Sequence, residues 1–136
     1  MGRVFFNTRE NVVALTAAYT VLASDSGNIF TLDSAGGAYE IDLPTTLEPG
    51  MNFKFVVKEN TPTADITIDA GSAIIDFVMK DAGGNASNST AGTAKRYIVL
   101  HTECTKGDYV NLWTDGSTWY GEAMSAIDDA IDHTAQ

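Results

Sequence analysis

The chain has 136 residues, of which 44% are hydrophobic, so one domain with a core that needs neither disulfides nor metals is expected. Eighteen acidic residues against eight basic ones give a net charge of −10, which argues against nucleic acid and anionic membranes as partners. The single cysteine, Cys104, excludes an intrachain disulfide and reads as a small buried apolar residue.

Residues 1–11, MGRVFFNTREN, precede any regular pattern and read as an N-terminal arm. Val4, Phe5 and Phe6 are adjacent large apolar side chains beside Arg3 and Arg9, and leaving each in water forgoes ~2 kcal/mol of burial. Such an arm is tied down, either as a strand on its own domain or against a neighbouring subunit or partner. The first residues lack the apolar stretch and small-residue cleavage site of a secretory signal, and no run approaches the ~18 apolar residues of a membrane span.

Residues 12–22 read as extended, and Ser24-Asp25-Ser26-Gly27-Asn28 as a turn. Residues 29–32 form a short strand closed by Asp33-Ser34-Ala35-Gly36-Gly37. Residues 38–43 alternate, with Tyr39, Ile41 and Leu43 inward and Glu40 and Asp42 outward, until Pro44 stops the strand. Residues 51–58 alternate with Met51, Phe53, Phe55 and Val57 inward, and residues 65–69 again have period two. After an apolar run at 74–79, residues 80–93 read as the longest and most mobile loop. Its sequons at Asn85 and Asn88 read as plain polar loop positions. Residues 95–101, KRYIVLH, have the pattern of a buried strand.

Residues 107–122 are the strongest local signal. Asp115-Gly116 between β-branched and aromatic runs predicts a hairpin, because glycine supplies positive φ without a Cβ clash. Trp113 and Trp119 lie on its two arms and are expected, with Asp115 and Gly116, to close one end of the core. In residues 123–130, AMSAIDDA, Ser125 suits a helix cap, and Met124, Ile127 and Ile131 have helical spacing. They predict a short C-terminal helix or tail over 123–136. The whole reads as all-β: an antiparallel β-sandwich or jelly-roll-like barrel of about 8–10 short strands over 12–122.

Chemistry is sparse. No GxSxG elbow, phosphate loop, CxxC or HxxxH is present, and only His101 and His133 offer imidazoles. His101, placed inside the strand, falls on the opposite face from Cys104. His133 falls where chains fray. Asp25-Ser26-Gly27-Asn28 and Asp128, Asp129 and Asp132 supply oxygens without calcium-loop spacing. Glu40, Asp42, Asp65 and Asp69 are what the solvent face of alternating strands carries. Trp113, Trp119, Tyr109 and Tyr120 suit a sugar-stacking platform, but alternate positions on a hairpin must fill the core. The expectation is no enzyme, no cofactor and no metal.

The order of motifs carries a resemblance. Ile29-Phe30-Thr31-Leu32-Asp33, the strand ending Asp42-Leu43-Pro44, and Pro49-Gly50-Met51-Asn52-Phe53-Lys54-Phe55-Val56-Val57 are followed by Asp65-Ile66-Thr67-Ile68. The closing run is Asn111-Leu112-Trp113-Thr114-Asp115-Gly116-Ser117-Thr118-Trp119-Tyr120. Over residues 15–121 this resembles the small β-sandwich modules of tailed-bacteriophage virion proteins, most of all capsid decoration (cement) proteins. The resemblance implies a homotrimer on the outer surface of the capsid that bridges subunits of the major capsid protein. It implies a virion location and a structural, non-enzymatic role. Beside the module only the arm and the tail remain, which favours decoration over a tail-fibre role. Arg3, Val4, Phe5, Phe6 and Arg9 are the expected capsid contact, since they combine apolar anchors with positive charge. The alternative is a tail- or fibre-associated or carbohydrate-binding adhesion module, with a surface glycan as partner.

Overall fold

The alternating segments assemble into two sheets packed face to face. A computed structural model of the protein describes residues 9–73, 75–83, 86–88 and 95–135. Among them are twelve strands: β1 (Val12–Leu15), β2 (Tyr19–Thr20), β3 (Ile29–Leu32), β4 (Tyr39–Asp42), β5 (Asn52–Val57) and β6 (Ile66–Asp69). They continue with β7 (Ile75–Lys80), β8 (Ala86–Asn88), β9 (Tyr97–Leu100), β10 (Tyr109–Thr114), β11 (Trp119–Met124) and β12 (Ile131–Thr134). Among the described residues no helix is long and apolar enough to cross a membrane.

The chain forms the expected all-β sandwich, but its sheets are mixed, which corrects the antiparallel and jelly-roll-like reading. One sheet runs β1-β3-β5-β10-β11-β7-β8, the other β12-β9-β6-β4-β2. From β1 to β6 the chain alternates between the two. As a result β1, β3 and β5 lie parallel side by side in one sheet, and β2, β4 and β6 in the other. Parallel neighbours need a long crossover, commonly a helix. Here each crossover contains a strand of the opposite sheet, and the first half of the chain is a coil of two-strand turns. A period of two looks the same in parallel and antiparallel strands, so the sequence pattern did not separate them.

Equivalent positions of successive turns stack into the core. Phe30 pairs with Phe55 and Leu32 with Val57 across β3 and β5, while Ile41 pairs with Ile68 across β4 and β6. The rings of Phe30 and Phe55 stack at 5.2 Å and 16°. All six side chains are buried, each worth ~1.5–3 kcal/mol relative to exposure. The second half closes the structure. The β10–β11 hairpin lies antiparallel to β5, and β7 joins β11 in parallel. In the other sheet β9 and β12 add by antiparallel pairing.

One row of the hairpin has no side chain to spare. Phe53, Leu112, Gly121 and Phe77 face one another across four adjacent strands. Leu112 and Phe77 lean into the space above Gly121, where a Cβ would lie 3.0 Å from Phe77 Cδ2 and 2.8 Å from the Asn111 carbonyl oxygen.

The expected C-terminal helix does not form. Residues 131–134 are strand β12, paired with β9, and Ala130 and Ile131 are buried. The segment before it is held as a turn. Ser125 Oγ donates to Asp108 at 3.0 Å, Ala126 N donates to Asp108 at 3.0 Å, and Ile127 N donates to Ser125 Oγ at 3.1 Å. Asp129 then adopts φ of 55°, a left-handed conformation that a right-handed helix cannot continue through. Ser125 caps a turn, and the apolar spacing of Met124, Ile127 and Ile131 is coincidental. The expected long loop at 80–93 also contains a strand, β8, which pairs with β7 through Lys80 opposite Ala86.

Candidate functional site

The β10–β11 register decides what the hairpin aromatics do. Thr114 stands opposite Trp119 and Trp113 opposite Tyr120, so the first pair faces the core and the second faces solvent. Trp119 is fully buried against Phe53, with ring centroids 5.8 Å apart, whereas Trp113 is 51% exposed. The two tryptophans, both expected to close the core, therefore divide: one does so and the other lies outside.

The turn between them is tightly determined. Asp115 Oδ1 accepts from Ser117 N at 2.8 Å, Ser117 Oγ at 2.8 Å and Thr118 N at 2.9 Å, and Oδ2 accepts from Tyr120 Oη at 3.2 Å. The backbone N–H groups of Thr118 and Ser117, then the hydroxyls of Ser117 and Tyr120, pull its carboxyl down to about 2. Thr114 Oγ1 donates to Thr118 O and accepts from Gly116 N. Gly116 has φ of 99°, and a Cβ there would lie 2.8 Å from Pro49 Cγ. These contacts fix the shape of the turn at Asp115 and Gly116.

On the outer face of the seven-stranded sheet, the rings of Trp113 and Tyr120 stack at 4.6 Å and 22°. Next to this pair the surface drops into an open cleft of about 780 Å³, lined by Trp113, Tyr120, Asn111, Glu122, Asp76 and Val78 and floored by the β7 and β11 backbones at Phe77 and Gly121. The pairings explain the grouping. Asn111 opposes Glu122, and the parallel β7–β11 pairing sets Asp76 beside Tyr120 and Val78 beside Glu122. Asn111 Nδ2 donates to Glu122 Oε1 at 3.1 Å. Val78 is 54% exposed. The cleft is thus one aromatic wall, one exposed aliphatic side chain and a set of hydrogen-bonding groups dominated by carboxylates.

The other candidates lie elsewhere. Of the expected capsid contacts, Arg3, Val4, Phe5 and Phe6 lie outside the described residues. Arg9 is exposed, two positions before Asn11, whose carbonyl accepts from Ile29 N at 2.9 Å. Cys104 is buried, and burial, followed by the charge of Asp108, pushes its thiol up to about 12. Its Sγ donates to Ala130 O at 3.1 Å. That protonated, enclosed thiol is a packing residue. Asp25 accepts from Leu22 N at 2.9 Å and Tyr19 Oη at 3.2 Å, so its oxygens fold the turn.

Both histidines correct the sequence reading. His101 follows β9 in a turn, with Cys104 N donating to His101 O at 3.0 Å, so the two do not occupy opposite faces of one strand. Its Nδ1 lies 3.1 Å from Asp65 and its Nε2 3.0 Å from Asp132. Its partial burial opposes protonation, but the hydrogen bonds that the charged ring donates to Asp132 and Asp65 outweigh that and raise its pKa. His133 sits half-buried in β12, its ring 5.1 Å from that of Phe77, and does not lie at a frayed end. Burial first, and the charge of Lys95 second, lower its pKa to about 4.

Among the described residues, two acidic groups have oxygens within 4.8 Å of one another: Glu40 with Asp42 and Asp69, and Asp81 with Asp128 and Asp129. Asp69, read as solvent-facing, is buried and pairs with Arg96 at 3.2 Å. Asp76, Asn111 and Glu122 did not stand out in the sequence. Asn111 and Glu122 flank Trp113 and Tyr120 at outward positions of the hairpin, a legible signal. Asp76 arrives through a parallel pairing that no local pattern announces. No protein-family model matches the chain, and no curated protein matches its sequence.

Proposed function

We propose that the chain is a non-enzymatic structural protein of a tailed-bacteriophage virion, which decorates the capsid and stabilises it by bridging major capsid subunits as a homotrimer. The supporting observation is where the motif residues lie. Phe30, Leu32, Leu43, Phe53, Phe55, Ile66, Ile68 and Trp119 are all buried, and Asp115 and Gly116 form the hairpin turn. The resemblance therefore rests on residues that specify the module. The arm adjoins β1, an edge strand whose Val12 is 59% exposed, and unpaired strand edges readily accept further chain. Trimerisation multiplies weak seam contacts by raising their effective concentration.

Deleting residues 2–9 tests the contact. The truncated protein is expected to fold, shown by an unchanged circular-dichroism spectrum, and to lose binding to undecorated heads. Saturation of those heads by the truncated protein would overturn the arm assignment. Light scattering on the purified protein tests the trimer, and a monomer at micromolar concentration counts against it. A second reading, a carbohydrate-binding adhesion module on the virion surface, is favoured by the exposed Trp113–Tyr120 wall and the cleft beside it.

A further inference from the structure

We infer that the cleft beside the Trp113–Tyr120 pair binds an uncharged saccharide, with Trp113 as its stacking platform and Glu122, Asn111 and Asp76 as its hydroxyl-binding groups. The inference rests on the adhesion reading and locates its site.

Each wall of the cleft restricts the ligand. The indole of Trp113 is half exposed although it belongs to a well-paired strand, and its stack on Tyr120 fixes the orientation of both rings. A flat aromatic face held rigidly in water suits a ligand with a flat apolar face of its own. Beside it on the same face, Asp76 and Glu122 carry carboxylates, which when ionised only accept hydrogen bonds. The ligand must therefore be rich in donors. Asn111 donates one amide hydrogen to Glu122 Oε1, which leaves its amide oxygen and the second Glu122 oxygen as further acceptors and one amide hydrogen as a donor.

A pyranose ring meets both demands, because its C–H face is apolar and its rim carries hydroxyl donors. Nucleotides also stack on indole, but their phosphates would face two carboxylates on a protein of net charge −10. Sialylated, sulfated and uronic-acid glycans are disfavoured for the same reason. A volume of about 780 Å³ falls within the range of ~300–1,000 Å³ usual for small-ligand clefts, with room for a short oligosaccharide. Val78 extends the apolar side of the cleft, which suits a second ring or an acetamido methyl.

The two tryptophans provide the readout. Trp119 is fully buried, so any change in emission on adding ligand reports on Trp113. The intact protein is screened against immobilised neutral and anionic glycans, and neutral tetrasaccharides of glucose, galactose, mannose and N-acetylglucosamine are titrated with emission as signal. At least one neutral class is expected to give a saturable blue shift. Trp113→Ala should weaken its binding, followed by calorimetry, by about tenfold or more, as loss of a central aromatic anchor does. Glu122→Gln should weaken it by about threefold to tenfold, since a charged acceptor becomes a neutral one. Unchanged circular dichroism and melting temperature would show that both variants fold. Selective binding that survives Trp113→Ala overturns this site and leaves the adhesion reading standing. No neutral saccharide bound up to about 10 mM, the weakest range that carries useful affinity, overturns both. Selectivity for anionic glycans overturns the charge argument and with it the proposed ligand class.

Discussion

Asp108 accepts a hydrogen bond from Ser125 Oγ at 3.0 Å, and both residues are buried, so the chain entering β10 is tied to the chain leaving β11. The same carboxylate accepts from Thr105 N at 2.8 Å and Ala126 N at 3.0 Å. Asp108→Ala would take their common acceptor from one buried and two part-buried donors, at a cost of about 2–4 kcal/mol. Ser125→Ala removes a single donor and should cost about 1 kcal/mol. Urea unfolding followed by tryptophan emission measures both, and equal losses in the two variants would contradict the central place given to Asp108.

Gly116→Val meets two obstacles at once. Its φ of 99° is one that β-branched residues rarely adopt, and the added Cβ would press on Pro49 at 2.8 Å. A loss of about 2–3 kcal/mol is expected, the usual cost of a strained backbone position with little room to relax. A normally folded variant with normal stability but impaired partner binding would instead assign the hairpin tip a functional role.

Gly121→Ala probes the opposite kind of requirement, since no φ in the left-handed region is involved. The methyl must displace Leu112 or Phe77 or approach the Asn111 carbonyl, and overpacking of this kind costs about 1–3 kcal/mol. Leu112→Val in the same chain should restore part of the loss by yielding space. If the double variant is merely the sum of the two, the crowding account is wrong.

The two histidines should titrate in opposite directions. A nuclear magnetic resonance titration is expected to place His133 near 4 and His101 above its ordinary 6.5. For His133 the neutral ring is the one the fold accepts. Its contribution is present above pH 6.5 and is lost as pH falls from there towards 4. For His101 the charged ring is favoured, so its contribution is complete below 6.5 and is lost as pH rises through the raised value. His133→Phe should therefore flatten the acid limb of the stability curve, and His101→Gln the limb above neutrality. Both rings act on β12, through Asp132 and through Phe77, so hydrogen exchange of residues 131–134 should follow the same two limbs.

What was legible in the sequence was local. The inward positions of β4, β5 and β6 follow from alternation, and the hairpin from Asp115-Gly116, because each depends on residues a few positions apart. Three things depended on distant partners. The parallel stacking of β3 on β5 is invisible to alternation. The strand at 131–134 emerges because Asp108 holds Ser125 and Ala126 in a turn, which a count of apolar spacing cannot register. The cleft was half legible: Trp113 and Tyr120 had been weighed for stacking, but the division of the two tryptophans between faces required the register. Asp76 joined them only through the β7–β11 pairing.

The coil of β1 to β6 ends in an unusual way. Its first turn supplies the outermost strand of both sheets on the same side, β1 in one and β2 in the other. The opposite side is finished by strands that enter from elsewhere in the chain, β10 against β5 and β9 against β6. Among the described residues, one end of the winding is therefore sealed and the other is open on both layers. A further two-strand turn laid on β1 and β2 would lengthen both sheets together and bury its inward side chains on an existing core, without disturbing any pairing already made. In this half of the protein the number of turns is free to vary while the architecture stays the same.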